Sequence, residues 1–438
     1  MVLANRAIRF PYRTEAAAGC LEIRYPFELS DEEARLAPAI GLGVAAYLAQ
    51  LSLAREVVLG FPVTDSAIGN MAPLIAMLYD VRRWKDGLPL GEYPDWTGTS
   101  AGAPAPSTTA PVPSRALLLF SGGKDSTLGA ILLKQNGYEV VPVHITANAG
   151  VERRELRAMQ GLSKLLGLDP LIVEFRHDDF LEFSTRYATS WNQYPLCNTV
   201  PFGRDLLLAL IAAPVAMRTS CAHISMAHDH ECRNAYVTHN GKRFPRNDVE
   251  SVEGALALEA FLKAEIWANV GLLPPVAGLT ELRILYEMIV NHPQAFALTS
   301  SCFWGTDCGR CAKCLRYYLA QRLFDSEIRS YARNPLAEGS CPELDEMMSG
   351  DFRRALFGEQ VLLCLSALHA RGDTRADESH LKRFRVSPSA GNDPTTLIDG
   401  FLATTTDPQV PEDFCFGQSV PSFSADSPTP REGLLGAV

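Results

Sequence analysis

From Arg115 onward the chain alternates short apolar runs with longer amphipathic ones. Ala116–Phe120, Tyr138–Ile145, Leu171–Phe175 and His223–Met226 read as buried strands. Thr127–Gln135, Glu152–Leu166, Arg204–Met217 and Val252–Trp267 read as helices. Asn136-Gly137 and Gly167 supply C-terminal stop signals for the first two helices. Strands separated by helices of about 10–15 residues build βαβ units and a parallel sheet. The expected fold class is therefore α/β, with helices on both faces of a parallel sheet.

The chain before this region has a different texture. Leu21–Phe27 predicts a strand, Pro38–Leu53 an alanine- and leucine-rich helix with proline in its first turn, and Met71–Trp84 another helix. Residues 1–96 are expected to form a small α+β domain. Thr97–Ser114 is rich in Thr, Ala, Pro and Ser and reads as a linker. The α/β domain is expected over 115–325, a helical extension with an apolar helix at Phe357–Leu368 over 326–385, and a largely disordered tail over 386–438.

Composition narrows the class. The 438 residues are 47% hydrophobic and 21% charged, as in a globular protein of two or three domains. No apolar run approaches the ~18 residues of a membrane span, the N-terminus shows no signal-peptide core, and a cytoplasmic, non-membrane protein is expected. The formal net charge of −10 argues against a broad nucleic-acid surface. Of 11 cysteines, Cys302, Cys308, Cys311 and Cys314 cluster and the rest are scattered, which favours a metal site over a disulfide framework.

The candidate chemistry begins directly after the first strand of the α/β region, with Ser121-Gly122-Gly123-Lys124-Asp125-Ser126. Strand, glycine turn and helix present backbone N–H groups to an anion at a helix N-terminus. The two glycines permit positive φ and a close approach of phosphate. Ser121, Ser126 and Thr127 add hydroxyls, Lys124 a charge, and Asp125 a carboxylate that suits a metal ion or orients the turn. The spacing is not that of a Walker A loop. It resembles the SGGxDS loop of the N-type ATP pyrophosphatases, the PP-loop superfamily. That resemblance implies cleavage of ATP between its α and β phosphates, transfer of AMP to a substrate oxygen, and Mg²⁺ at the phosphates.

The second signal is Cys302-x5-Cys308-x2-Cys311-x2-Cys314. Four thiolates in so short a span can close a tetrahedral zinc shell, and a shell with four protein ligands is structural. Buried thiols without metal, or an iron–sulfur cluster, are the other readings.

Together the two motifs resemble the 7-cyano-7-deazaguanine synthases. Val200-Pro201-Phe202-Gly203-Arg204-Asp205 is similar to that family's V-P-G-R-N segment, and Asp229-His230-Glu231-Cys232-Arg233 to the region ending in D-C-R. Pro274-Pro275 through Glu281 matches a proline followed by a helix start. The resemblance spans about residues 115–325. It implies an AMP- and pyrophosphate-forming ligase that adenylates a deazapurine carboxylate and admits ammonia to give amide and then nitrile. The family's Y-G-Q-R-H segment is replaced by Ala147–Arg153, and its G-Y-P segment is absent. The extra N-terminal region, linker and tail resemble instead the UDP-N-acetylmuramoyl-L-alanyl-L-glutamate epimerases, for which the carboxylate would belong to a nucleotide-linked peptide. A tRNA sulfur transferase is a third class that uses related loops. A homodimer is compatible with each reading.

Ser121, Gly122, Gly123, Lys124, Asp125, Ser126 and Thr127 are thus the expected nucleotide-binding residues. Lys124, Asp125, Arg204, His228 and Arg233 are the expected catalytic set, with Arg204 assigned to a phosphate or substrate carboxylate. His230 and Glu231 share the loop with His228. Cys232 is either a nucleophile or a buried thiol, and the basic run His239–Asp248 either an anion-receiving segment or a surface turn.

Overall fold

The computed structural model describes residues 1–13, 18–99, 110–146, 152–177, 204–300, 302, 307–336, 358–371 and 394–417. The strands are β1 (Val2–Ala4), β2 (Ala7–Arg13), β3 (Ala18–Arg24), β4 (Glu56–Pro62), β5 (Asp95–Thr99), β6 (Val112–Leu119), β7 (Glu139–Thr146), β8 (Leu171–His177), β9 (Cys221–Ser225), β10 (Tyr236–His239), β11 (Lys242–Pro245) and β12 (Gly271–Leu272). Eight of them form one sheet in the order β1-β2-β3-β8-β7-β6-β9-β12.

The β8-β7-β6-β9-β12 portion is parallel throughout. Its chain order runs outward in both directions from β6, so the topological switch lies between β6 and β9. In such sheets ligands bind beyond the strand C-termini at the switch. The apolar run Ala116-Leu117-Leu118 is fully buried because both faces of β6 are covered. Leu117, Val143, Val173 and Ile224 join a core with the helices Ala37–Ser52 and Arg204–Arg218. The opposite face receives α4 (Lys124–Gln135), whose Gly129 lies so close to the sheet layer that a Cβ there would sit 3.0 Å from Pro275 and 3.7 Å from Leu118.

The break expected after residue 96 is not where the compact units part. β3 pairs antiparallel with β8 through Leu21↔His177 to Arg24↔Glu174, so the N-terminal strands extend the central sheet. Backbone pairing is indifferent to sequence distance, and Ile8, Leu21 and Ile23 are buried in the same core as β6. The linker's last residues, Val112–Ser114, already belong to β6, while 100–109 lie outside the described residues. One compact unit is Met1–Ala277 with Thr406–Cys415; the other is Gly278–Thr405 with the residues from Phe416. The glycine loop and the cysteine cluster thus fall in different units.

Other expectations shift as well. The helix expected at Met71–Trp84 begins at Asp65, capped by Thr64, and accommodates Pro73. A helical stretch, Asp31–Ser52, is long and apolar enough to cross a membrane by composition, contrary to the sequence reading, but most of it is buried inside the protein. The region after 386 includes a helix, Pro394–Leu402, with Ile398 and Leu402 buried, and an ordered stretch through Gly417; the helix Gly358–Ala370 matches the expected apolar helix. Phe357 and residues 418–438 lie outside the described residues.

Candidate active site

The glycine loop leaves β6 at the switch point. Gly122 has φ +77, and a Cβ on it would meet the backbone N of Met159 at 2.8 Å. Both facts require glycine, since a side chain would be strained and would collide with the helix Glu152–Leu166. Gly123 is the N-cap of α4 and carries no side-chain cap, as suits a helix N-terminus that receives an anion. Ser121 Oγ accepts from the Gly123 N–H at 3.3 Å and lies 3.2 Å from Ser126 Oγ, which tightens the turn.

Two expected ligand groups are placed differently. Thr127 is fully buried, and its hydroxyl donates to the Gly123 carbonyl at 2.7 Å, so it shapes the turn. Lys124 is buried and paired with the Asp125 carboxylate. Asp125 remains partly exposed. Sequence reasoning missed His144 on β7. Its Nδ1 lies 3.0 Å from the Phe120 carbonyl and braces the loop's entry, while Nε2 is buried with no partner among the described residues. Only the strand register, Leu119↔Val143, reveals this proximity.

A second group of side chains gathers beyond β9 and at the start of the helix Arg204–Arg218. Arg204 Nε donates to Asp205 Oδ1 at 2.9 Å, and His228 Nε2 lies 3.0 Å from Asp205 Oδ2. Burial alone would raise the Asp205 pKa, but Arg204 and His228 outweigh it and hold the carboxyl well below the usual range. Arg204 is held more firmly charged by Asp205 first, and by Glu250 and Glu155 besides. His228 is lowered by burial but raised on balance by its bond to Asp205. Glu250, which the sequence reading did not single out, is pushed up to about 8 by burial and the neighbouring Asp205 carboxylate. Asp205, His228 and Glu250 bring oxygen and nitrogen atoms within 4.8 Å of one another.

Arg233, a member of the expected catalytic set, lies in the interior. It is fully buried, its Nη2 donating to Asp407 Oδ1 and to Gln409 Oε1 at 2.8 Å each, with Nε also on Asp407. A guanidinium so engaged anchors the returning segment Thr406–Cys415. Burial, Asp229 and Glu250 push the Cys232 thiol well up, which favours the reading as an inert thiol. His230 is lowered by burial and contacts Asn234. The basic run forms the β10–β11 hairpin, turning at Asn240-Gly241, with Lys242 paired to Asp80 and Arg243 stacked 3.9 Å from the Tyr236 ring centroid. Val200–Gly203 and Ala147–Val151 lie outside the described residues.

In the other compact unit, Cys302, Cys308, Cys311 and Cys314 place their sulfurs within 4.8 Å of one another. Cys308 Sγ and Cys314 Sγ are 3.9 Å apart, close to the ~3.8 Å edge of a tetrahedron with 2.3 Å zinc–sulfur bonds. Cys311 caps the helix Ala312–Leu323, and the Arg310 N–H donates to Cys308 Sγ at 3.3 Å. Gly309 has φ +68, and a Cβ there would lie 2.1 Å from the Arg333 carbonyl. Contacts with Cys311 and Cys314 hold the Cys302 thiol far below its usual range, while contacts with Cys302 and Cys311 push Cys314 far up. Full ionisation of the four therefore calls for a cation, and this buried cluster can hold a metal such as zinc.

A family model for the queuosine biosynthesis protein QueC matches residues 115–322. The chain is similar to 7-cyano-7-deazaguanine synthase of Campylobacter jejuni subsp. jejuni serotype O:2, at 26% identity over 215 residues, covering 46% of this chain and 90% of that relative. It is 28% identical over 213 residues to the synthase of Campylobacter concisus, and 23% over 211 to that of Methanothrix thermoacetophila, with the same coverage. The matched span takes in the glycine loop, the Arg204–His228 group and the four cysteines. Residues 115–322 are therefore QueC-like.

Proposed function

We propose that the protein is an ATP-dependent synthase that adenylates a substrate carboxylate and releases pyrophosphate. The observation that carries this reading is the Ser121–Ser126 loop at the switch point of a parallel sheet, at the N-terminus of a helix without a side-chain cap. A carboxylate is a poor electrophile until one oxygen becomes a leaving group, and AMP supplies that group. Charge develops on the departing pyrophosphate. Fixed N–H dipoles at the start of α4 and the Ser121 and Ser126 hydroxyls favour that charge where it forms. Mg²⁺ bound with the nucleotide would neutralise phosphate charge, and Asp125 is the residue suited to hold it. Arg204 is half-exposed at the same sheet edge and offers a cation to the substrate carboxylate or the α phosphate.

The named relatives favour a deazapurine carboxylate with ammonia as the nucleophile. Zinc in the four-cysteine cluster would be structural, since four protein ligands leave no open position. The test is incubation of the full chain with ATP, Mg²⁺, 7-carboxy-7-deazaguanine and ammonium, followed by measurement of AMP. AMP formation dependent on the deazapurine supports the reading. Formation only with the muramoyl dipeptide would transfer the chemistry to that substrate, and none with a wider panel of carboxylates would reject adenylation.

A further inference from the structure

The helix His230–Asn234 is a single turn that follows β9 at the ligand edge of the sheet. One turn of helix does not hold itself and takes its position from the groups that grip it. Asp229 caps its start, accepting from the Cys232 N–H at 2.8 Å, and Asn247 Nδ2 donates to the Cys232 carbonyl at 3.1 Å. Its far end is gripped by the returning segment Thr406–Cys415, which belongs to the same compact unit. Arg233 donates through Nε to Asp407 Oδ2, and through Nη2 to Asp407 Oδ1 and Gln409 Oε1 at 2.8 Å each. The Gln409 N–H donates to Asp407 Oδ1 at 3.0 Å, and Gln409 Nε2 donates to Glu259 Oε2 at 3.0 Å. Glu259 Oε2 also accepts from the Leu272 N–H of β12 at 3.0 Å. The grip is therefore buried, charge-assisted and tied back to the sheet.

His228 stands directly before the capping Asp229. Its Nε2 lies 3.0 Å from Asp205 Oδ2, while Asp205 Oδ1 accepts from Arg204 Nε at 2.9 Å. A carboxylate accepts, so this bond keeps a proton on Nε2 and fixes the orientation of the ring. The same segment borders the helix of the glycine loop: a Cβ on Gly129 of α4 would lie 3.5 Å from the Ala227 Cβ. A displaced His230–Asn234 turn would carry His228 off Asp205. We propose that Asp407, together with Gln409, is a positioning residue: through Arg233 the two hold the segment after β9 so that His228 stays on Asp205. This rests on the reading of that sheet edge as the reacting site. The family model ends at residue 322, so the support comes from a part of the chain outside the matched region.

The experiment follows AMP formation and the nitrogen resonances of the His228 ring in full-length wild type, Asp407→Asn, Gln409→Ala and Asn136→Ala, each held below its unfolding temperature. His228→Asn identifies the resonances. Asn136 ties the same segment at its other end, Nδ2 donating to the Cys415 carbonyl at 2.9 Å and Oδ1 accepting from the Cys415 N–H at 2.7 Å. Its variant reports what loosening the segment alone does. Asp407→Asn should lower kcat by about 10- to 100-fold, leave the KM for ATP near wild type, and move the His228 resonances. Gln409→Ala spares the ion pair, so it should shift both readouts the same way by less, and it keeps the test open if Asp407→Asn does not fold. Asn136→Ala should change neither readout. Wild-type kcat or unmoved His228 resonances in the Asp407 and Gln409 variants, or an equal loss of kcat in Asn136→Ala, overturns the proposal. If wild type forms no AMP with any carboxylate, the functional reading fails, while the resonances still decide whether Asp407 and Gln409 hold His228.

Discussion

Arg233 and Asp407 form a buried ion pair, with Arg233 Nη2 donating to Asp407 Oδ1 at 2.8 Å, although 174 positions separate them in the chain. Both side chains are almost wholly excluded from solvent. Asp407 lies beyond residues 115–322, which the family model matches. The pair therefore joins the QueC-like span to a segment outside it.

Asp407→Asn should leave the Arg233 charge buried without its counter-ion and cost about 3–5 kcal/mol, the usual penalty for breaking such a pair. Thermal or denaturant unfolding measures it. Replacing both residues by apolar ones of similar volume should recover much of the loss; a double variant as unstable as the single one would contradict this account.

Gly122→Ala should reduce stability by about 1–2 kcal/mol for the left-handed backbone alone, and more for the collision with the Met159 backbone. Because the same residue forms the phosphate turn, AMP formation should fall further than stability does. Activity at wild-type level would show that the turn is not the nucleotide site.

Gly309→Ala tests the cysteine cluster by geometry, since the new Cβ cannot occupy the space held by the Arg333 carbonyl. Zinc content measured by mass spectrometry should drop, as it should in Cys311→Ser. Stoichiometric zinc in both variants would argue against this four-thiolate shell. Chelation of the wild type should lower its unfolding temperature without supplying any open-site chemistry.

His223 is lowered from its ordinary range by burial. The unfolded chain then binds the extra proton more readily than the native one, so stability should fall as pH drops through about 6.5. His223→Asn should flatten the stability curve between about pH 7 and about pH 5. An identical slope in wild type and variant would remove His223 as the cause. Glu250 acts in the opposite direction, losing native stability as pH rises from the ordinary carboxylate range to about 8, a window that overlaps that of His223, so the His223 variant separates the two.

Local patterns made the parallel α/β class, the glycine loop and the cysteine cluster legible in the sequence. Buried strands declare themselves by unbroken apolar runs such as Ala116–Leu119, and the turn that follows needs glycine at Gly122, where φ is positive. Four cysteines within thirteen residues need no tertiary information to be read as a site. Tertiary structure alone decided that β1–β3 extend the central sheet, because edge pairing is made by backbone groups common to all residues. It alone gave Arg233 to Asp407, and brought Glu250 and His228 onto Asp205. Long-range charge pairing leaves no periodic mark on the chain; it depends on which buried polar groups must be satisfied once the apolar faces have packed.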